Sequence, residues 1–80
     1  MQRIMAKHAA DLFRERVRSM MDDRHLTITD LAEAIGTSRP SMSRILSGDE
    51  NVTIERAERI AKFFQKPLAV FFSEKLAHAG

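Results

Sequence analysis

The sequence predicts an all-α fold, a compact bundle of five short helices with a helix-turn-helix at helices two and three. Three observations carry that expectation. Apolar residues recur at helical spacing from one end of the chain to the other. Glycine and proline number only three and two among 80 residues, and tryptophan and tyrosine are absent, which leaves too few turn formers for a turn-rich β domain. Capping residues and stop signals bracket the periodic stretches. The length points to one domain over 1–80. A domain of this size buries roughly 60% of its unfolded surface and has little left for a deep substrate cleft.

Phe13, Val17, Met20 and Met21 form the stripe of the first helix, which Ala9 and Ala10 extend backwards. It should end near Arg24. Thr27 then caps a second helix, with Asp30 at its third position in a capping-box arrangement. Leu26 and Leu31 flank that cap as a hydrophobic staple, and Leu31, Ala32 and Ile35 form the buried side. Gly36 supplies the stop. Ser38 opens the third helix, where Pro40 is tolerated in the first turn. Met42, Ile45 and Leu46 fall within an arc of about 100°, while Arg39, Pro40, Ser43, Arg44 and Ser47 occupy another of about 140°. Gly48 ends this helix. Thr53 caps the fourth, whose stripe is Ile54, Ala57, Ile60, Ala61 and Phe64, with Phe63 off the stripe. Pro67 begins a short fifth helix carrying Leu68, Phe71, Phe72 and Leu76. Loops this brief force neighbouring helices into contact.

Composition excludes several classes. Without cysteine there is no disulfide framework and no thiolate metal site. His8, His25 and His78 are too scattered for a ligand motif, so neither metal nor cofactor is expected. Phosphate-cradling glycine loops and nucleophile elbows are missing, and the chain does not read as an enzyme. No apolar run approaches the ~18 residues of a membrane span, and a cytoplasmic location is the default. Net charge is only +2, so position rather than composition must argue for a nucleic-acid partner.

Position does so. A helix of seven or eight residues, a turn at Gly36 and a helix with one polar face make a helix-turn-helix over 28–47. Ala32 is small where the helices cross, and Gly36 sits where a Cβ could clash. Arg39 and Arg44 stand among the small residues Pro40, Ser43 and Ser47. That company lets a helix approach base edges, where arginine binds guanine in bidentate fashion. Arg39, Pro40, Ser43 and Arg44 are therefore the candidate base readers. Thr27, Thr29, Thr37, Ser38, Ser47 and Asn51 are the candidate phosphate contacts, since helix N-termini point donors at anions. Arg14, Arg16 and Arg18 interleave with acidic residues and read as a solvated face, with phosphate contact as the alternative.

Leu26-Thr27, Leu31-Ala32, Ile35-Gly36-Thr37-Ser38-Arg39, Ser43-Arg44-Ile45, Gly48 and Ile60-Ala61 together resemble the lambda-repressor/Cro-like, or Xre-type, DNA-binding family over about 13–72. The resemblance implies five helices, with the third in the major groove, and a dimer on a pseudo-palindromic operator. It implies a transcriptional regulator, a repressor that acts by occupying its operator with no further effector domain. Three positions depart from the family pattern. Ile28 stands where many members place a phosphate-gripping glutamine, so that contact should be missing or replaced by Thr27 or Thr29. Met21 and Leu46 replace both partners of a buried Arg–Glu pair; losing both together strands no charge. Asp49 and Glu50 occupy a loop that is often basic, and two carboxylates there should weaken non-specific binding.

Ile45-Leu46-Ser47-Gly48, Val52-Thr53, Ala57 and Arg59-Ile60-Ala61 also look like HigA-type antitoxins, whose defining partner is a toxin protein. For assembly, Val70, Phe72 and Leu76 are the expected homodimer surface, on the reading that helix five spreads apolar side chains over more than one face. The alternative is that Phe72 completes the core.

Overall fold

A short extended lead-in precedes the first helix in the computed structural model, which describes residues 3–72. Its N–H groups and carbonyls pair with the stretch before the last helix: Met5 N donates to the Val52 carbonyl at 3.0 Å, and Ile54 N donates to the Arg3 carbonyl at 2.8 Å. Ile4 and Thr53 thereby form an isolated antiparallel bridge. Side chains alternate across it, Met5 buried and Ile4 exposed.

Four α-helices follow: α1 (Lys7–Arg24), α2 (Ile28–Ile35), α3 (Arg39–Ser47) and α4 (Ile54–Phe63). Packing runs α2 on α3 and α4, and α1 on α3. Phe13, Val17, Leu31, Met42, Ile45, Val52, Ile60, Phe64 and Phe71 are completely or almost completely buried, so every periodic stripe read from the sequence reaches the core. Arg24 lies 5.0 Å from the Phe64 ring centroid, a cation–π contact that joins the end of α1 to the end of α4.

The fifth helix requires correction. Among the described residues there are four α-helices, and Leu68–Phe72 forms a 3₁₀ turn. Val70 N donates to the Pro67 carbonyl at 3.1 Å, the three-residue spacing of that turn. Valine and two phenylalanines are modest helix formers. Packing holds them instead: Phe71 and Phe72 sit 5.2 and 6.1 Å from Phe13, ring centroid to ring centroid. Phe72 and Val70 are half-buried and pack on the core. Phe72 thus belongs partly to the core, while Leu76 lies outside the described residues.

The helix ends show how the connections are built. α1 and α4 stop on left-handed residues that are not glycine, His25 at φ 55° and Gln65 at φ 59°. At each, two N–H groups turn back onto the last carbonyls. His25 N bonds to Asp22 O and Leu26 N to Met21 O; Gln65 N bonds to Lys62 O and Lys66 N to Ala61 O. This is the Schellman arrangement, and α2 makes the same closure with Gly36.

Candidate nucleic-acid interface

The helix-turn-helix is built from its caps outward. The Thr27 hydroxyl accepts from Asp30 N at 3.0 Å, and the Asp30 carboxylate accepts from Thr27 N at 3.0 Å. Both orphan donors at the start of α2 are met. The bond from the Thr27 backbone, with a further one from its side chain, holds the Asp30 carboxyl below its ordinary pKa. Gly36 then turns the chain at φ +77°, and a Cβ added there would meet nothing within 4 Å. Backbone conformation, not the crowding expected from the sequence, is what demands glycine. Ser38 accepts from Ser41 N at 3.2 Å and starts α3.

Among the expected base readers, Arg39, Pro40 and Arg44 are exposed and Ser43 is half-buried. The expected phosphate contacts divide. Thr27 and Ser47 line one groove with the candidate base reader Ser43 and with Ile28, Met21 and Leu46, so the start of α2 and the outer face of α3 share a rim. Thr29 is exposed in the first turn of α2. Ser38 and the half-buried Thr37 lie at the turn. Asn51 is brought to a different depression, beside Met5, Asp11, Arg14 and Gly48. The Ser47 hydroxyl is engaged locally, within 3.1 Å of both the Arg44 carbonyl and the Asp49 carboxylate.

One arginine of α1, Arg14, overturns the solvated-face reading, and a second, Arg18, is exposed yet bonded to α3. Arg14 is 9% exposed. Its Nε donates to the Ile45 carbonyl at 2.6 Å, one terminal nitrogen to Asp11 at 3.0 Å and the other to the Glu50 carbonyl at 3.2 Å. Arg18 donates to the Leu46 carbonyl. Both guanidiniums therefore satisfy the open carbonyls at the end of α3, where a helix favours cations. Arg14 could have been singled out from its position, four residues after Ala10 and beside Phe13 on the apolar stripe.

Glu50, expected only to weaken non-specific binding, has partners that the sequence did not reveal. Its carboxylate meets Arg56 Nη1 at 2.7 Å, the Ser41 hydroxyl at 3.0 Å and Arg44 Nε at 3.2 Å. The Arg56 hydrogen bond foremost, then those from Ser41 and Arg44, hold its carboxyl below the ordinary value. Of the two loop carboxylates, Glu50 is thus paired by its own neighbours Arg44 and Arg56. No helical periodicity links positions 44, 50 and 56 across a loop, so spacing offered no signal.

The expected replacement of a buried ion pair also has its setting. Met21 and Leu46 are both buried and line the same groove. Among the described residues no three His, Asp or Glu side chains gather as a metal site, and no helix is long and apolar enough to cross a membrane.

Similarity to known proteins converges on the same elements. The chain is 42% identical over 55 residues to the antitoxin HigA of Escherichia coli and to that of Shigella flexneri, covering 69% of this chain and 38% of each of those proteins. It is 37% identical over 54 residues to a Pyrococcus furiosus protein named as an HTH-type transcriptional regulatory protein, covering 68% of this chain and 17% of that one. The chain therefore spans less than half the length of these relatives. No solved structure gives a significant match. The model of the Cro/C1-type HTH DNA-binding domain matches residues 16–68, a span that holds the capped α2, the Gly36 turn and the outward arginines of α3. By that match, the chain belongs to the Cro/C1-type HTH DNA-binding domain family.

Proposed function

We propose that this chain is a sequence-specific reader of double-stranded DNA that regulates transcription as a repressor, with α3 in the major groove of an operator. One observation carries the reading: α3 is held from behind by its core side chains and by Arg14 and Arg18, while Arg39, Pro40, Arg44 and Ser47 face solvent. A helix so held can present a constant pattern of donors to base edges. Arg39 and Arg44 supply the bidentate donors, and Pro40 and Ser43 allow close approach. Thr27, Thr29, Thr37, Ser38, Ser47 and Asn51 are assigned to phosphates and set the register.

One recognition helix makes few base contacts, so a homodimer on a pseudo-palindrome is part of the proposal. Val70 and Phe72 are its described candidates for the interface, with Leu76 beyond them. Selection of binding sites from random duplex DNA tests the whole reading. Enrichment of paired half-sites about 34 Å apart supports it, and failure to enrich any motif rejects it.

A second reading is favoured by the 42% identity to proteins named antitoxin HigA: DNA binding joined to capture of a toxin protein. A small basic ribonuclease-like reading frame beside this gene, whose product co-purifies with the chain, would support it.

A further inference from the structure

We propose that Glu50 is a specificity-setting residue, which restrains Arg44 for base reading and withholds it from phosphates. The inference rests on the DNA-reading role of α3 proposed above. Glu50 is itself held at both ends. Its backbone N donates to the Arg44 carbonyl at 3.1 Å, and its own carbonyl accepts from Arg14 at 3.2 Å. Its carboxylate is anchored by Arg56 at 2.7 Å and by the buried Ser41 at 3.0 Å. This rigid acceptor then takes Arg44 at Nε, 3.2 Å away, while the Arg44 side chain stays 54% exposed.

Which nitrogen is engaged matters. A guanidinium carries five donors in a planar fork. Binding at Nε leaves donors on the terminal nitrogens, the pair that matches O6 and N7 of guanine end-on. Restraint also removes rotamer freedom before DNA arrives, so less is lost on binding. The negative charge acts in the opposite sense on the backbone. An arginine already paired to a carboxylate gains less from a phosphate, and the carboxylate itself is repelled by phosphates. That repulsion is the same on operator and random DNA; the gap between them is widened by the restraint of Arg44 and by its smaller gain from phosphates.

The test uses the full chain, the duplex it enriches from random sequence, and random duplex of equal length. Glu50→Gln keeps a hydrogen-bonding side chain but loses the charge. It should tighten binding to random DNA, steepen the salt dependence there by about one unit of log Kd against log salt, and cut the ratio of random to operator Kd by about tenfold. In an Arg44→Ala background the same substitution should leave that ratio unchanged. An equal gain on both duplexes would reduce Glu50 to a bare charge and overturn the proposal. So would the same loss of discrimination with Arg44 absent. If the unaltered chain enriches no sequence, the DNA-reading role fails first, and that is seen before any variant is made. Thermal melts of each variant separate these outcomes from unfolding.

Discussion

Arg14 Nε lies 2.6 Å from the carbonyl oxygen of Ile45, joining the middle of α1 to the end of the helix that carries the candidate base readers. The bond is charge-assisted, and the same guanidinium satisfies the Glu50 carbonyl. Arg14→Met would strand both acceptors in a poorly hydrated site. The expected loss is about 2–3 kcal/mol, read from urea midpoints. Arg14→Lys should recover little, because one ammonium cannot reproduce a planar fork that meets three partners. Full recovery by lysine would mean that charge alone holds α3.

Readout is tested on α3 itself. Arg39→Ala and Arg44→Ala should each cost about 1–3 kcal/mol on the selected site and relax preference at one base pair. Equal losses on random duplex would make these residues phosphate clamps instead.

Met21 and Leu46 share a groove, at the two positions where the family resemblance implied a buried ion pair. Leu46→Glu should cost about 3 kcal/mol, and adding Met21→Arg should return much of that loss. Arg18 already reaches the Leu46 carbonyl, so it is the natural competitor for the new carboxylate. A double-mutant cycle gives the coupling, and a value near zero would show that positions 21 and 46 do not meet.

Acid should weaken the fold in a definite window. Asp30 and Glu50 both have folded pKa values below their ordinary 3.8 and 4.5. The folded chain therefore binds fewer protons at these sites than the unfolded chain. Their contribution is fully present above the ordinary values and is lost as pH falls through the lowered ones. Denaturation midpoints measured from pH 7 downward should show a constant gap between the unaltered chain and Glu50→Gln to about pH 5, then a narrowing gap. A gap that widens in acid would reverse the sign.

His25 and Gln65 occupy left-handed positions that favour glycine. Gln65→Gly should stabilise by up to about 1 kcal/mol, since the relief of a left-handed side chain exceeds the added freedom of the unfolded chain. In a domain of this size that is a rise of about 4–8 °C in Tm, and a fall would mean that the Gln65 side chain makes contacts worth more than the strain.

Much of this was legible in advance because it is local. Thr27 with Asp30, Ser38, Gly36 and Gly48 announce helix ends through bonds spanning only a few residues, and the apolar stripes announce the core. Phe63 was read as off its stripe and is indeed exposed. What stayed hidden depends on partners far apart in sequence. Arg14 and Arg18 resemble surface charges until α3 is folded against them. Glu50 reads as an acidic blemish on a DNA-facing loop until Arg44 and Arg56 converge on it. The 3₁₀ turn at 68–72 was missed because apolar spacing over five residues cannot separate one tight turn from the start of an α-helix.

The anchoring of α3 has a consequence for how such a reader changes its target. Apart from the Ser38 cap and the Ser41 hydroxyl, what grips the helix is either an inward side chain, such as Met42, Ile45 or Leu46, or a backbone carbonyl. Carbonyls are the same whatever residue bears them. The outward positions 39, 40 and 43 can therefore be rewritten as an address without loosening the part that displays it, whereas the Ser47 hydroxyl also bonds Asp49 at the end of the helix. Position 44 is the exception: a new residue there must come to terms with Glu50, so retargeting at that base pair proceeds by paired substitution.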